Sequence, residues 1–404
     1  SHFRATDIWM SGSDADNVLD TGWFGRYLND ENPNYQQTIQ NAINSGNPID
    51  PLAIQIGYSL SNVLIGPNGG MGIALSSPSA FYNLVNNNKG SDFSDTLPAP
   101  FGGNELQFVQ TVIDESNIFS QRIKTAATNG TNSVTYPNDP HGFAAQLKIV
   151  AQLISGGLST KMYMVYIGGF DTHAGQNSGG GQPDLLQYVS EGIATFMQDM
   201  IAQQKDNKIL GMTFSEFGRR VHDNGSSGTD HGTAAPMFLF GTTVAGSILG
   251  TNPSLTDLDP NGNLKMQYDY RQIYWSILDK WFGASPTDLS DALNGQSFTS
   301  LPIINGSVGV NESVAATIGL ALYQNYPNPF NHMTTIEYTV DSYKDVRLEI
   351  FAENGRKVAT LVNEPKHYGR YQVPFSAQGL PNGNYIARLQ SGSNIQTRVM
   401  QVVN

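Results

Sequence analysis

The stretch KMYMVYIGGFDTHAGQ, residues 161–176, decides how the chain is read. An uninterrupted apolar run, MYMVYI, gives way to two glycines and then to Asp171 and His173, two positions apart. A continuous run of this length is expected of a strand covered on both faces rather than of one with a wet side. The glycines free the backbone where that strand ends, and ligand-type side chains follow at once. Three other runs have the same texture: PLAIQIGYS (51–59), ILGMTFSEF (209–217) and MFLFGTTV (237–244). Between them lie helical periods, with Phe143, Leu147, Val150, Ile154 and Leu158 in one and Leu185, Val189, Ile193, Phe196 and Met200 in the next. The segment DYRQIYWSILDKWFG (269–283) opens on a capping Asp269 and closes on Gly283. Strand alternating with helix predicts an α/β domain with a mostly parallel sheet sandwiched by helices.

Composition narrows the chemistry. At 404 residues the chain is long enough for two domains. Charged residues are only 14%, and 22 Lys plus Arg against 34 Asp plus Glu give a net charge of −12. No basic run follows a phosphate backbone, so nucleic acid is not an expected partner. There is no Cys, which excludes disulfides, thiolate metal sites and a cysteine nucleophile, and leaves oxygen and imidazole to hold any metal. No apolar stretch approaches the roughly 20 residues of a membrane span. The chain begins at SHFRATDIW without Met, as expected of a processed or trimmed form.

After residue 295 the helical periods fade into a Gly-, Ser- and Asn-rich tether, 296–321. Then TTIEYTV, DVRLEIFA, KVATLV, YQVPF, NYIARLQ and TRVMQVV alternate in polarity between the turn signals ENGR, LPNG and SGSN. Val346, Leu348 and Ile350 face one way, Arg347 and Glu349 the other. A small all-β, immunoglobulin-like sandwich over 322–404 is expected.

Three polar clusters stand where strands of the large domain end: Asp171 with His173; Ser215, Glu216, Arg219 and Arg220 in TFSEFGRRVHDNG; and Asp230 with His231 in SSGTDHGTAAP. The carboxyl ends of parallel strands converge on one crevice, so the three clusters are expected to meet there. Their donors suit Zn, Mn, Mg or Ca. Taken singly, each has a plainer reading: Asp171 and His173 as a loop hydrogen-bond pair, Asp230-His231 as a turn cap, Glu216–Arg219 as a structural ion pair.

Two resemblances sharpen the expectations. From Leu322 to Asn404, the features YPNPFN, IFAENGRKVATLV, LPNGNYIARL and the terminal VMQVV resemble the C-terminal sorting domain of proteins exported by the type IX secretion system. That implies recognition by the export machinery and a place outside the cell or on the outer-membrane surface of a Gram-negative bacterium. The segments SHFRATDIW, TGWFGRYL, GGFDTHAGQ, SEFGRRVHDNGSSGTDHGTAAPMFLFG and DYRQIYWSILDKWFG together resemble the DUF1501 family of secreted proteins, of the alkaline phosphatase and sulfatase superfamily. This implies an alkaline phosphatase-like domain over 1–295, one or two divalent metals, and hydrolysis of phosphate or sulfate esters. By position, Asp171 and His173 would serve one metal, Glu216, Asp230 and His231 would complete the site, and Arg219 would hold an anionic group. Departures remain. The Gly-Gly-Asn-Asp-Gly type strand that opens such domains either precedes Ser1 or is absent, and only Ser1 could take the place of a serine nucleophile, by loose similarity. A rival expectation is therefore a non-catalytic binding or assembly protein on the surface, with a glycan or further copies of itself as partners.

Overall fold

A computed structural model of the protein describes residues 2–87, 116–246, 248–305, 320–340, 344–366, 369–392 and 394–403. The chain divides into two compact units, the larger comprising Ser1–Asp206, Gly211–Phe240 and Ala245–Ser307, the smaller Asn207–Leu210, Gly241–Val244 and Val308–Asn404. Ser1 and residues 306–319 of the expected tether lie outside the described residues.

The larger unit opens with helices α1 (His2–Ser11), α2 (Trp23–Glu31) and α3 (Tyr35–Ser45). Its sheet is parallel, in the order β4–β1–β5, with β1 at Ala53–Ile56, β4 at Ile73–Leu75 and β5 at Met162–Met164. A short hairpin, β2 (Ile65–Gly66) with β3 (Gly69–Gly70), separates β1 from β4. The return to β5 runs through α4 (Pro78–Asn87), α5 (116–129) and α6 (Phe143–Ser155). Parallel neighbours need such a helical crossover, and here the apolar period supplies it. Leu147 and Val150 of α6 are buried, as are Leu185, Phe196 and Met200 of α7 (Gln182–Ala202), whose faces the spacing had placed inward.

The strands at 209 and 237 depart from expectation. They shrink to β6 (Gly211–Met212) and β9 (Leu239–Phe240), which pair with each other and run antiparallel. The reason lies between them. Instead of a crossover helix, the intervening chain forms a second hairpin, β7 (Gly218–Asp223) with β8 (Thr229–Gly232), and without a crossover the two flanking segments can pair only head to tail. His222 and Asp223 lie on β7, both exposed. Arg219, Arg220, Asp230 and His231 consequently sit on a hairpin, and Ser215 and Glu216 on the segment before it, not at the ends of parallel strands.

The 269–283 helix forms as its signals predict. Asp269 caps α8 (Tyr270–Ile277) in a reciprocal box with Gln272, a π-helical turn carries the chain over Leu278–Phe282, and Gly283 ends it at φ 69°. Its Tyr274 stacks on Trp23 at 4.2 Å, and Tyr270 lies 4.2 Å from Trp9. Trp23 and Trp281 are buried, so these aromatics are packing and not an open platform. Among the described residues no carboxylate hydrogen-bonds Arg26, which is 8% exposed; its guanidinium donates to the carbonyls of Ser11, Thr21, Asp291 and Ala292, tying α1 and α2 to the end of α9 (Pro286–Ala292). Burial lowers its pKa to about 10, so it remains cationic at neutral pH.

The smaller unit contains two antiparallel sheets: β10 (Ala321–Leu322), β11 (Met333–Val340) and β14 (Gly369–Ser376) in the order β10–β11–β14, and β12 (Lys344–Ala352), β13 (Lys357–Lys366), β15 (Gly383–Ser391) and β16 (Asn394–Val402) in the order β13–β12–β15–β16. Leu322, Ile336, Tyr338 and Phe375 from one meet Leu348, Ile350, Leu389 and Met400 from the other in one core. Val346, Leu348 and Ile350 face inward as the alternation requires. Glu349 faces away from them, yet it is only 4% exposed, because Arg388 (2.6 Å) and Lys357 (3.1 Å) close over its carboxylate.

Candidate functional site

The hairpin β7–β8 brings the loop after β5 against itself by main-chain contacts. Thr229 N donates to Thr172 O, Gly175 N to Ser226 O and Gln176 N to Ser227 O. The Thr172 and Thr229 hydroxyls both donate to Gln176 Oε1, at 3.2 and 2.6 Å. At Gly228 the approach is so close that a Cβ would stand 2.3 Å from His173 C and 2.5 Å from Thr172 O, so no other residue fits. Asn224 shapes the turn: its Oδ1 accepts from Ser226 N and Gly228 N, and its Nδ2 donates to His173 O at 2.9 Å.

This clamp brings together three ligand-type atoms. His231 Nε2 lies 3.0 Å from Asp171 Oδ1, His173 Nε2 lies 3.1 Å from the same oxygen, and the two Nε2 atoms are 2.7 Å apart. An ion bonded to each at about 2.0–2.2 Å would hold its ligands at nearly this spacing, so the triangle matches one face of a coordination shell. Among the described residues this is the group of His and acidic side chains able to share an ion. The three side chains are one-third to one-half exposed, which leaves the remaining coordination directions toward solvent.

Neighbouring side chains fix the triangle. Asp230 Oδ1 stands 3.4 Å from His173 Nδ1, on the far side of the ring from the cluster. A carboxylate there keeps the proton on Nδ1 and turns the Nε2 lone pair inward. The Asn224 amide, and after it His173, hold the Asp230 carboxyl below the usual carboxylate range. Phe217 stacks on the His231 ring at 3.9 Å. Arg219 is only 14% exposed in its side chain; it donates to Asp171 Oδ1 at 2.8 Å and to the carbonyls of Phe170 and Thr229.

The structure therefore brings Asp171, His173 and His231 together, sets Asp230 one layer behind His173, and places Arg219 on the carboxylate of Asp171. Glu216, on the segment between β6 and β7, is not in the group. Ser1 lies outside the described residues. Asn224, Gly228 and Phe217 were missed, although the Asn-Gly pair in HDNGSSGTDHG is a hairpin signal that foretells the turn.

Two protein families match the chain in part. Residues 110–292 match a protein family of unknown function, DUF1501, and residues 324–403 match the secretion system C-terminal sorting domain. A sorting domain of this kind marks a secreted or cell-surface protein and implies the secretion machinery as a partner. Among the described residues no helix is long and apolar enough to cross a membrane. No curated protein matches the chain. Among solved structures there is a match to PorZ, described as an essential bacterial surface component of the type-IX secretion system of Porphyromonas gingivalis, at 16% identity and a TM-score of 0.17. It covers 25% of this chain and 14% of that one.

Proposed function

We propose that the protein is an exported, metal-dependent hydrolase of phosphate, sulfate or related esters, with an alkaline phosphatase-like domain at 1–295, a tether at 296–321 and an export address at 322–404. The observation that carries this reading is the triangle of Asp171 Oδ1, His173 Nε2 and His231 Nε2, with three protein donors and an open side. Sites that close a fourth protein ligand around the ion are structural, whereas three ligands and an open position suit a substrate. A divalent ion held there would polarise an ester oxygen and make a bound water acidic. The residues themselves prepare the ground: Asp230 sets the tautomer of His173, Phe217 fixes the plane of His231, and Arg219 locks Asp171 while adding positive charge beside an incoming anion.

A second reading, a surface protein without catalysis, draws on Arg219. Its guanidinium already neutralises Asp171, so the same residues could serve as a hydrogen-bonded joint between loop and hairpin. Metal analysis of the full chain by inductively coupled plasma mass spectrometry separates the two. The hydrolase reading expects a stoichiometric divalent ion that disappears in a His173→Ala, His231→Ala variant, together with hydrolysis of p-nitrophenyl phosphate or sulfate that disappears with it. A folded wild type that takes up no zinc, manganese, magnesium or calcium refutes it.

A further inference from the structure

The smaller unit has a concavity of its own, about 430 Å³, lined by Gln324, Tyr326, Thr335, Glu337 and Gln372. It lies on the outer face of the β10–β11–β14 sheet, where Thr335 and Glu337 alternate with the buried Thr334, Ile336 and Tyr338. Tyr326 stands in it 82% exposed, yet its backbone is pinned: Tyr326 and Thr335 exchange two main-chain hydrogen bonds at 2.9 and 3.0 Å. Buried Asn325 anchors the same turn by donating to Pro327 O and Thr334 Oγ1. Opposite, Gln372 Nε2 donates to Glu337 Oε2 at 2.8 Å, which orders the polar floor. An exposed aromatic ring on a fixed backbone is a partly preorganised surface, since the main chain needs no further ordering when something binds.

The lining chooses the ligand class. Among the described residues its lining contains no cation, which disfavours phosphate, sulfate or nucleic acid. Both sides of β11 are already paired, by β10 with Tyr326 and by β14, so the strand that carries Thr335 and Glu337 offers no open edge to a peptide. What remains is one aromatic ring among amide, hydroxyl and carboxylate groups, which suits a molecule with an apolar face and a rim of hydroxyls. We propose that this concavity is a carbohydrate-binding site, with a pyranose stacked on Tyr326 and its hydroxyls hydrogen-bonded to Glu337, Gln372 and Thr335. The site is independent of the metal cluster, and either can fail without the other.

Isothermal titration of the full chain with cellotetraose, mannotetraose and N-acetylchitotetraose tests this. At least one is expected to bind, with affinity reduced about 10-fold or more in Tyr326→Ala and by a smaller factor in Gln372→Ala. The Tyr326 ring is so exposed that its removal leaves the sandwich folded, which hydrogen exchange of β11 and β14 verifies. Absence of binding to all three sugars, or equal binding by Tyr326→Ala, overturns the proposal. So does binding of tetralysine in place of sugar, which would assign Tyr326 and Glu337 to a cation.

Discussion

The clamp around Asp171 and the C-terminal sandwich are both built largely from antiparallel pairing, but they are held by different forces. Apart from the two-residue β10, the sandwich has strands of eight to ten residues whose inward faces fill an aliphatic and aromatic core. The clamp has strands of six and four residues with a register break between Arg219 and Asp223, and its contacts are carbonyls, amides, imidazoles and one glycine. Burial of apolar area tolerates small errors because it is non-directional; hydrogen bonds and backbone contacts do not. Regular pairing supplies stability, and the irregular hairpin supplies placement.

This contrast predicts unequal responses to substitution of a glycine. Gly228→Val drives a side chain into the main chain of His173 and Thr172, and is expected to cost about 4 kcal/mol. All four tryptophans lie in residues 1–283, so the urea midpoint of their fluorescence reads the larger unit selectively. Gly355→Ala in the sandwich meets a positive φ instead, 79°, with nothing within 4 Å, and a cost of about 1 kcal/mol is expected from hydrogen exchange of β12. Equal costs would remove the distinction. The sandwich should instead be most sensitive in its core: Leu348→Ala, at a fully buried position, is expected to lose about 3 kcal/mol by the same exchange measurement.

Glu349 sharpens the comparison, because there the sandwich borrows the polar method of the clamp with a buried charge. Burial opposes its charge, but hydrogen bonds from Arg388 and Lys357 outweigh that and hold the carboxyl below the usual glutamate range. A depressed folded pKa contributes stability above the unfolded value, about 4.3, and that contribution is lost as pH falls through the folded value. Glu349→Gln should therefore lower the stability of the sandwich at pH 7 by about 2 kcal/mol and flatten its loss below pH 4. An unchanged acid limb in hydrogen exchange of β12 and β15 would show that the pair contributes nothing.

Legibility in the sequence follows the same division. The alternation Val346, Leu348, Ile350 and the helical spacing Leu185, Phe196, Met200 are repeated apolar signals, and the elements they announce are present. Asp269 and Gly283 mark the ends of a helical segment because capping is local chemistry. Antiparallel pairing of β6 with β9 could not be read from ILGMTFSEF and MFLFGTTV, since apolar content does not encode strand direction; the missing helix between them does. In the candidate site, residue types pointed to Asp171, His173 and His231, but which acid faces the cluster is decided by hairpin register. Asp230 and His231 are neighbours on β8, and successive strand residues point to opposite sides. Glu216 and Asp230 were thus equivalent in the sequence and are not in the structure.

The smallest effect separates a ligand from the residue that orients it. If Asp230 bound an ion directly, Asp230→Asn would weaken zinc uptake as severely as His231→Ala. Its place on His173 Nδ1, 3.4 Å away and opposite the triangle, suits it instead to holding the ring, as the hydrolase reading proposes. Partners of that kind change metal affinity by roughly 10- to 100-fold when altered, and because Asp230 is solvent-exposed and the amide of Asn can still accept from Nδ1, the low end is expected, about 10-fold. Competition with a chromogenic zinc chelator measures both variants on one scale. His231→Ala should abolish binding while Asp230→Asn only shifts it, since losing a donor from a three-donor face cannot be compensated but a ring freed to rotate still visits the productive orientation. A loss as complete for Asp230→Asn would make the carboxylate a fourth ligand and close the site that the hydrolase reading needs open.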